Sequence, residues 1–149
     1  MPFDVVRDET AQRDDVEVGT TRVFVVTEVN SFAVVAYYGW CMAQLHASDA
    51  PPRPRKGGGR YPQPVALLAR LGVDVHHEGR GLGTGLLQDV FLRLIALSSD
   101  IGCRALLIHA ESNDARAFYR HLVPELEDSP TDPLHLVVLM KDIRRTLTH

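Results

Sequence analysis

The sequence predicts an α/β fold in which a mixed central sheet is flanked by helices. Two β-branched runs, Arg22–Val29 and Phe32–His46, lie on either side of an Asn30-Ser31 turn and predict a hairpin. The apolar run Val65–Val75 then passes through a glycine-rich turn into a segment whose apolar residues recur at helical spacing. Strands and helices alternate from there on, which is typical of a sheet covered by helices.

The same periodicity predicts the remaining elements. Apolar residues at helical spacing indicate an amphipathic helix over Thr84–Ser99 and a second over Asp114–Leu122. Buried strands are predicted at Cys103–Ala110 and Leu134–Met140, and a short helical tail at Ile143–Leu147.

Two segments have no clear period. Residues 1–20 are polar, and a short helix is predicted there around Glu9–Val16. The segment Ala50–Pro64 is rich in proline, glycine and arginine, so we expect a basic loop. We expect residues 1–149 to form a single domain, with 1–20 as its polar N-terminal segment and 50–64 as its basic loop.

Composition favours a small cytoplasmic enzyme. The chain has 149 residues, of which 45% are hydrophobic and 23% charged, as is ordinary for a globular domain. Its net charge of −3 means that a nucleic-acid partner would have to meet a local basic patch. Cys41 and Cys103 form no disulfide framework, and the seven histidines show no spacing that predicts a metal site. No secretory leader or membrane span is expected from the sequence.

The glycine-rich segment after Val75 predicts a phosphate site. Gly79, Gly81 and Gly83 stand directly before the predicted helix. Such a loop gathers free backbone N–H groups in front of a helix dipole, which favours a phosphate or pyrophosphate. Glycine also lets the backbone approach the ligand where a side chain would block it.

The spacing of these glycines excludes two common phosphate loops. A Walker A loop needs a lysine after its second glycine, whereas Thr84 and Gly85 follow Gly83. A dinucleotide fingerprint needs G-x-G-x-x-G, but the sixth position is Thr84 counted from Gly79 and Leu86 counted from Gly81.

The remaining pattern, Glu78-Gly-Arg-Gly-Leu-Gly83, resembles the coenzyme A loop of the GNAT superfamily of N-acetyltransferases. Glu78 stands where that family usually has Gln or Arg, so we expect its side chain to point away from the pyrophosphate. The resemblance implies a GNAT-type sheet, acetyl-CoA as co-substrate and no metal. It implies coenzyme contacts from Leu71, Val73, Val75, Gly79, Arg80, Gly81, Leu82, Gly83, Thr84, Ser112 and Phe118.

A second motif of the same family resembles Ser112–Arg120 (SNDARAFYR). The resemblance implies that Tyr119 is the general acid that protonates the coenzyme A sulfur. The alternative is that Tyr119 is a core residue beside Phe118. Ser112 occupies the place where many members have Asn, and Asn113 lies one position away.

Acetyl transfer also requires a neutral amine and a polarised carbonyl. An α-amine has a pKa of about 7.7–8.0, and an electron-withdrawing ester next to it should lower that pKa, so a strong base is not essential. A backbone N–H near Val73 can polarise the thioester. Glu111 and Asp74 are candidates for a water-mediated base, although both also fit a solvated carboxylate at a strand end.

A narrower resemblance covers residues 20–145. The blocks PVALLARLGVD, GCRALLIHAES, AFYRHL and SPTDPLHLVVLMKDI are similar to the tRNA-acetylating toxins of bacterial toxin–antitoxin pairs. This resemblance implies acetylation of the α-amine of aminoacyl-tRNA, a ribbon-helix-helix antitoxin and a homodimer. Members usually have two helices near the N-terminus, whereas about 20 residues precede the first clear strand here, so we expect a shortened N-terminal helical region.

A basic cluster provides a candidate RNA surface. Its members are Arg53, Arg55, Lys56 and Arg60, and Arg70 extends it as a further candidate RNA contact. Phosphate contacts need such a cluster, but a solvated surface produces the same pattern. Two other functions therefore stay open: a GNAT enzyme acting on a small-molecule or protein amine, and a catalytically weak coenzyme A-binding or partner-binding module.

Overall fold

The computed structural model describes residues 3–7, 21–58 and 61–147. These residues form a mixed sheet flanked by helices, which confirms the predicted fold class. The strands are β1 (Phe3–Arg7), β2 (Arg22–Glu28), β3 (Val34–Leu45), β4 (Gln63–Val73), β5 (Ala105–His109), β6 (Glu127–Asp128) and β7 (His135–Leu139). The helices are α1 (Pro52–Gly58), α2 (Leu82–Ser98), α3 (Asn113–Leu122) and α4 (Met140–Leu147). None of the helices described is long and apolar enough to cross a membrane.

The sheet has the order β1-β2-β3-β4-β5-β7-β6. All neighbours are antiparallel except β4 and β5, which are parallel and are connected by α2. The predicted hairpin is formed by β2 and β3. The bounds of the predicted strands and helices differ from the observed ones by only a few residues.

The polar segment 1–20, for which no strand was predicted, contains one. β1 lies within it and pairs with β2 from Phe3 opposite Glu28 to Arg7 opposite Phe24. The strand has five residues, too few to establish an alternating pattern. The helix predicted at Glu9–Val16 lies outside the described residues.

The predicted loop 50–64 contains a helix, α1. Pro52 and Pro54 lie in its first turn, where the backbone N–H groups have no partner within the helix, so the prolines remove no hydrogen bond. The Arg55 N–H donates to the Pro51 carbonyl at 3.0 Å. Arg55 and Lys56 are in the last turn, where the helix dipole favours positive charge.

The two faces of the sheet have different coverings. On one, here called the α2 face, buried residues such as Tyr38, Leu68 and Ile108 pack in the cluster that includes α2. On the opposite face, Val65 and Leu107 belong to a smaller apolar cluster. The Tyr38 hydroxyl is on the α2 face and donates to Asp89 on α2 at 2.6 Å.

One residue of β4 interrupts its pairing with β3. Trp40 lies opposite Leu68 and Gly39 lies opposite Arg70, which leaves Ala69 as an extra residue in a β-bulge. The bulge changes which side chains reach the α2 face. Leu71 packs against the α2-face cluster, as Leu68 does, and the intervening Arg70 is turned to the opposite face.

Candidate active site

A gap opens in the sheet between β4 and β5. Their pairing ends with Leu68 opposite Ile108, although β4 continues to Val73. The Asp74 N–H donates to Val35 of β3 at 2.8 Å. Because N–H directions alternate along a strand, the N–H groups of Val73 and Leu71 point away from β3 and into the gap. The backbone N–H near Val73 that was named from the sequence therefore points into the gap, and the N–H of Leu71 does so as well.

The glycine loop follows the outer end of β4. Gly79 and Gly81 have φ angles of 78° and 79°, a left-handed conformation that favours glycine. A β-carbon at either position would meet no described atom within 4 Å. Gly81 caps α2 without a side-chain hydrogen bond, and the first turn of α2 has no acidic residue. The loop thus presents open space in front of free helix N–H groups.

Gly83 has a different role from the other two glycines. It lies within α2, and a β-carbon there would be 2.9 Å from Cζ of Phe118. Gly83 therefore allows α3 to bring the Phe118 ring against the start of α2.

These elements enclose a cleft of about 450 Å³, a size typical of small-molecule sites. Of the residues predicted to contact coenzyme, eight line it: Leu71, Val73, Gly79, Gly81, Leu82, Gly83, Thr84 and Phe118. The walls formed by Leu71, Val73 and Phe118 are apolar, and the glycine loop forms the polar end.

Three residues that were predicted to contact the coenzyme do not line the cleft. Val75 belongs to a one-turn 3-10 helix after β4 and is 70% exposed, because the Asp74 carboxylate accepts from the His76 N–H and ends the strand. Arg80 is exposed in the loop. Ser112 caps α3, and its hydroxyl accepts from the Ala115 N–H at 3.1 Å.

Glu78 is one of the lining residues of the cleft. That its side chain points away from the pyrophosphate stays a prediction.

Tyr119 is buried beside the cleft. It is 4% exposed, and its ring lies 5.4 Å from that of Phe118 in an edge-to-face arrangement. Its hydroxyl has no hydrogen bond to any other described residue. Burial, followed by the charge of Glu111, raises the pKa of Tyr119 well above its ordinary value. The hydroxyl is therefore protonated at neutral pH and able to donate.

His77 connects two carboxylates at the rim of the cleft. Its Nδ1 lies 2.7 Å from Asp74 Oδ2, and its Nε2 lies 2.9 Å from Glu28 Oε1. Hydrogen bonds to Asp74 and then Glu28 raise the pKa of His77. The bond to His77 likewise lowers the pKa of Asp74. The Asp74 carboxylate is already hydrogen-bonded to the imidazole of His77, and its lowered pKa makes it a weaker base for an acceptor amine.

The predicted RNA residues do not form one cluster. Arg53 binds the buried Asp142 at 3.1 Å and Glu127 at 3.5 Å. Arg55 and Lys56 are exposed on α1, which precedes β4, so roughly 30 Å of strand separates them from the glycine loop. Arg70 is exposed on the face opposite α2, and Arg60 lies outside the described residues.

Three features were missed by the sequence prediction. They are the bulge at Ala69, the His77 bridge, and the stacking of His109 on His135 at 3.7 Å between ring centres. The bulge and the stacking depend on contacts between strands, and the bridge joins the turn after β4 to Glu28 at the end of β2. Only the adjacent pair His76-His77 was noticeable in the sequence. Within the described ranges, no group of three or more His, Cys, Asp or Glu side chains could hold a metal ion.

Sequence comparison relates the chain to bacterial toxins. It is 48% identical over 111 residues to a tRNA-acetylating toxin of Mycobacterium tuberculosis, a match that covers 74% of this chain and 65% of that protein. It is 26% identical over 129 residues to a probable toxin TacT of Sinorhizobium fredii, covering 83% and 71%. The chain thus spans about two thirds of these relatives. No family model matches it.

Solved structures share the fold. A tyrosine-to-phenylalanine variant of KacT superposes with a TM-score of 0.82 at 17% identity, covering 98% of this chain and 99% of that one. AtaT complexed with acetyl-methionyl-tRNAfMet gives 0.80 at 18% identity, covering 97% and 99%. A variant of AtaT bound to acetyl-CoA and the C-terminus of the antitoxin AtaR gives 0.69 at 19% identity, covering 87% and 73%.

Proposed function

We propose that this chain, a relative of the tRNA-acetylating toxins with the fold of KacT and AtaT, is an acetyl-CoA-dependent N-acetyltransferase. The acceptor is the α-amino group of aminoacyl-tRNA, and acetylation of this group blocks translation. The observation that carries the proposal is the gap between β4 and β5, which opens onto a glycine-rich helix start whose N–H groups have no side-chain cap.

The residues of the cleft fit acetyl-CoA. The open space over Gly79 and Gly81 is what a pyrophosphate needs in order to approach the amides of α2. The apolar walls formed by Leu71, Val73 and Phe118 suit the less polar pantetheine arm. Acetyl-CoA supplies an activated thioester, and the chain supplies the groups that orient it.

Two kinds of donor act on the thioester. The N–H groups of Leu71 and Val73 point into the gap, where they can bind the carbonyl oxygen as negative charge develops on it. Tyr119 donates a proton to the departing sulfur, since its raised pKa keeps the hydroxyl protonated. Its lack of a described hydrogen-bond partner leaves that proton available.

The acceptor has to approach from the face opposite α2, because the coenzyme occupies the α2 side of the gap. Arg70 is exposed on that opposite face, where it can contact the RNA backbone. Arg55, Lys56 and Arg60 are proposed as more distant phosphate contacts. Arg53 contributes less, because its guanidinium is engaged by Asp142.

The partners follow from the relatives. We propose a neutralising antitoxin, as AtaT has in AtaR, of the ribbon-helix-helix type. We propose a homodimer on the basis of the family resemblance alone. An aminoacyl-tRNA acceptor implies action in the cytoplasm.

The test is transfer of labelled acetyl from acetyl-CoA to a mixed pool of charged tRNA, with deacylated tRNA as the control. The proposal expects label on charged tRNA only. Label on neither pool, with acetyl-CoA binding intact, would contradict the tRNA acceptor.

A second candidate acceptor is a small-molecule or protein amine. The ion pairs of Arg53 favour it, because they remove one cation from the predicted RNA surface. This enzyme would use the same cleft and Tyr119, and it would label a polyamine or a peptide amine in the same assay. A coenzyme-binding module without catalysis would bind acetyl-CoA and label nothing.

A further inference from the structure

A second cavity lies on the face opposite α2. It has a volume of about 350 Å³, within the range of small-molecule sites. Its floor is aliphatic and comes from β3, β4 and β5, through Ala43, Leu45, Leu67 and Leu107. Polar side chains from two loops and from the ends of β5 and β7 complete the lining.

Hydrogen bonds preorganise one wall of this cavity. The Ser129 hydroxyl donates to the Asp49 carbonyl at 2.8 Å, and the Thr131 hydroxyl donates to the Asp49 carboxylate at 2.6 Å. They join the segment after β3 to the loop before β7. Side-chain hydrogen bonds between these two segments therefore fix this wall of the cavity.

His109 stands where this cavity meets the gap in the sheet. It directly follows Ile108, which makes the last pair between β5 and β4, and its side chain lines the cavity. His109 is level with Ala69, and Leu71 lies two residues further on, which is about 7 Å along the strand. An amine together with one water molecule spans that distance.

His109 is held in place by its neighbours. Its ring stacks on His135 with 3.7 Å between centres and 10° between planes. Nε2 of His135 lies 3.4 Å from the Asp132 carboxylate, and Asp132 also lines the cavity. Burial, followed by the charge of His135, lowers the pKa of His109, while Asp132 acts in the opposite direction. The imidazole is thus neutral at physiological pH and can accept a proton.

We propose that this cavity receives the amino-acid end of the acceptor and that His109 takes a proton from its ammonium group. The inference rests on the proposed function and adds an acceptor pocket and a general base to it. His135 and Asp132 are positioning residues, because they act through His109.

Every proton in the step is accounted for. The ammonium nitrogen gives one proton to His109, which releases it to solvent. The nitrogen lone pair then forms the bond to the acetyl carbon, and the carbon–sulfur bond breaks. Tyr119 protonates the departing sulfur and regains its proton from the second one that leaves the nitrogen.

The first experiment compares His109→Gln with wild type across pH, using acetyl transfer to charged tRNA. We expect a loss of up to about 10-fold at pH 7, where about a tenth of an amine of pKa 8 is neutral, and this loss should shrink as the pH rises and the acceptor amine loses its proton unaided. The affinity for acetyl-CoA should stay unchanged. The matched control is His121→Gln, at an exposed position on α3. The charged groups that act on His109 are His135 and Asp132, while Asp49 lines the same cavity. Asp132→Asn should therefore move the same limb of the profile to a smaller extent.

A second experiment fills the cavity. Ala43→Phe should reduce transfer to tRNAs charged with large amino acids and spare glycyl-tRNA, while Ala96→Phe on the exposed side of α2 should have no such effect. Acetyl-CoA binding reports whether each variant is folded.

The outcomes separate the two proposals. If wild type labels no charged tRNA, the proposed function fails, and this inference fails with it. If wild type labels charged tRNA and the pH profile of His109→Gln superposes on it, only the inference is overturned. Equal losses for large and small amino acids in Ala43→Phe would overturn the acceptor pocket.

Discussion

Gly83 and Phe118 are packed so closely that a β-carbon on residue 83 would lie 2.9 Å from the end of the ring. Gly83→Ala should therefore displace the ring, which lines the coenzyme cleft. We expect acetyl-CoA affinity to fall by about 10-fold, equivalent to 1.4 kcal/mol. Gly85→Ala is the control, because no described atom lies within 4 Å of its β-carbon. That change should raise the free energy of unfolding by roughly 0.5–1 kcal/mol and leave the affinity unchanged, as calorimetry can measure.

Tyr119→Phe removes a hydroxyl that has no described hydrogen-bond partner. We expect the rate constant of acetyl transfer to fall by about 10²–10⁴-fold, because the departing sulfur loses its proton donor. The dissociation constant of acetyl-CoA and the melting temperature should stay close to those of wild type. An unchanged rate would show that Tyr119 is only a core residue, and a large loss of stability would show an unrecognised structural role.

The His77 bridge predicts a pH dependence of stability. Its folded-state pKa is raised by Asp74 and Glu28, above an unfolded value of about 6.5. Its stabilisation is thus fully present below that value and is lost as the pH rises through the folded pKa. The difference in unfolding free energy between wild type and His77→Gln should shrink from pH 6 to pH 9. His76→Gln is the control, and a difference that grows with pH would contradict the assignment.

Asp142 is 1% exposed, and its carboxylate binds both Arg53 and Arg145. Asp142→Ala should lower the free energy of unfolding by about 2 kcal/mol, because it removes hydrogen bonds to charged groups. Arg53→Gln should destabilise in the same direction, whereas Arg55→Gln should not. Denaturant unfolding measures the three changes. If Arg53→Gln weakens tRNA binding without any effect on stability, Arg53 is a phosphate contact after all.

The strands with long apolar runs were predictable because burial on a sheet leaves a pattern in the sequence. β3 and β4 have 12 and 11 residues, and each was placed within a few residues. β6 has two residues and leaves no pattern. α1 was missed because its prolines suggest a loop, although both fall in the first turn, where they are tolerated.

The glycine-loop side of the candidate site was more predictable than the side on which His109 lies. Gly79, Gly81 and Gly83 lie within five consecutive residues and mark the loop directly. His109 and His135 are 26 residues apart and meet only because β5 and β7 pair, so neither was singled out. Arg53 looked like a surface charge because its partner Asp142 lies 89 positions away.

The bulge at Ala69 divides β4 into a part that packs in the core and a part that lines the cleft. Before it, Ala66 and Leu68 point into the core of the α2 face, and after it Leu71 and Val73 point into the cleft. If Ala69 were instead paired in regular register, with no bulge, Arg70 and Gly72 would take the place of the second pair while the first pair stayed in place. One irregular pairing thus decides which side chains of β4 meet a ligand, and a shift of register there would alter the cleft in a protein whose core is unchanged.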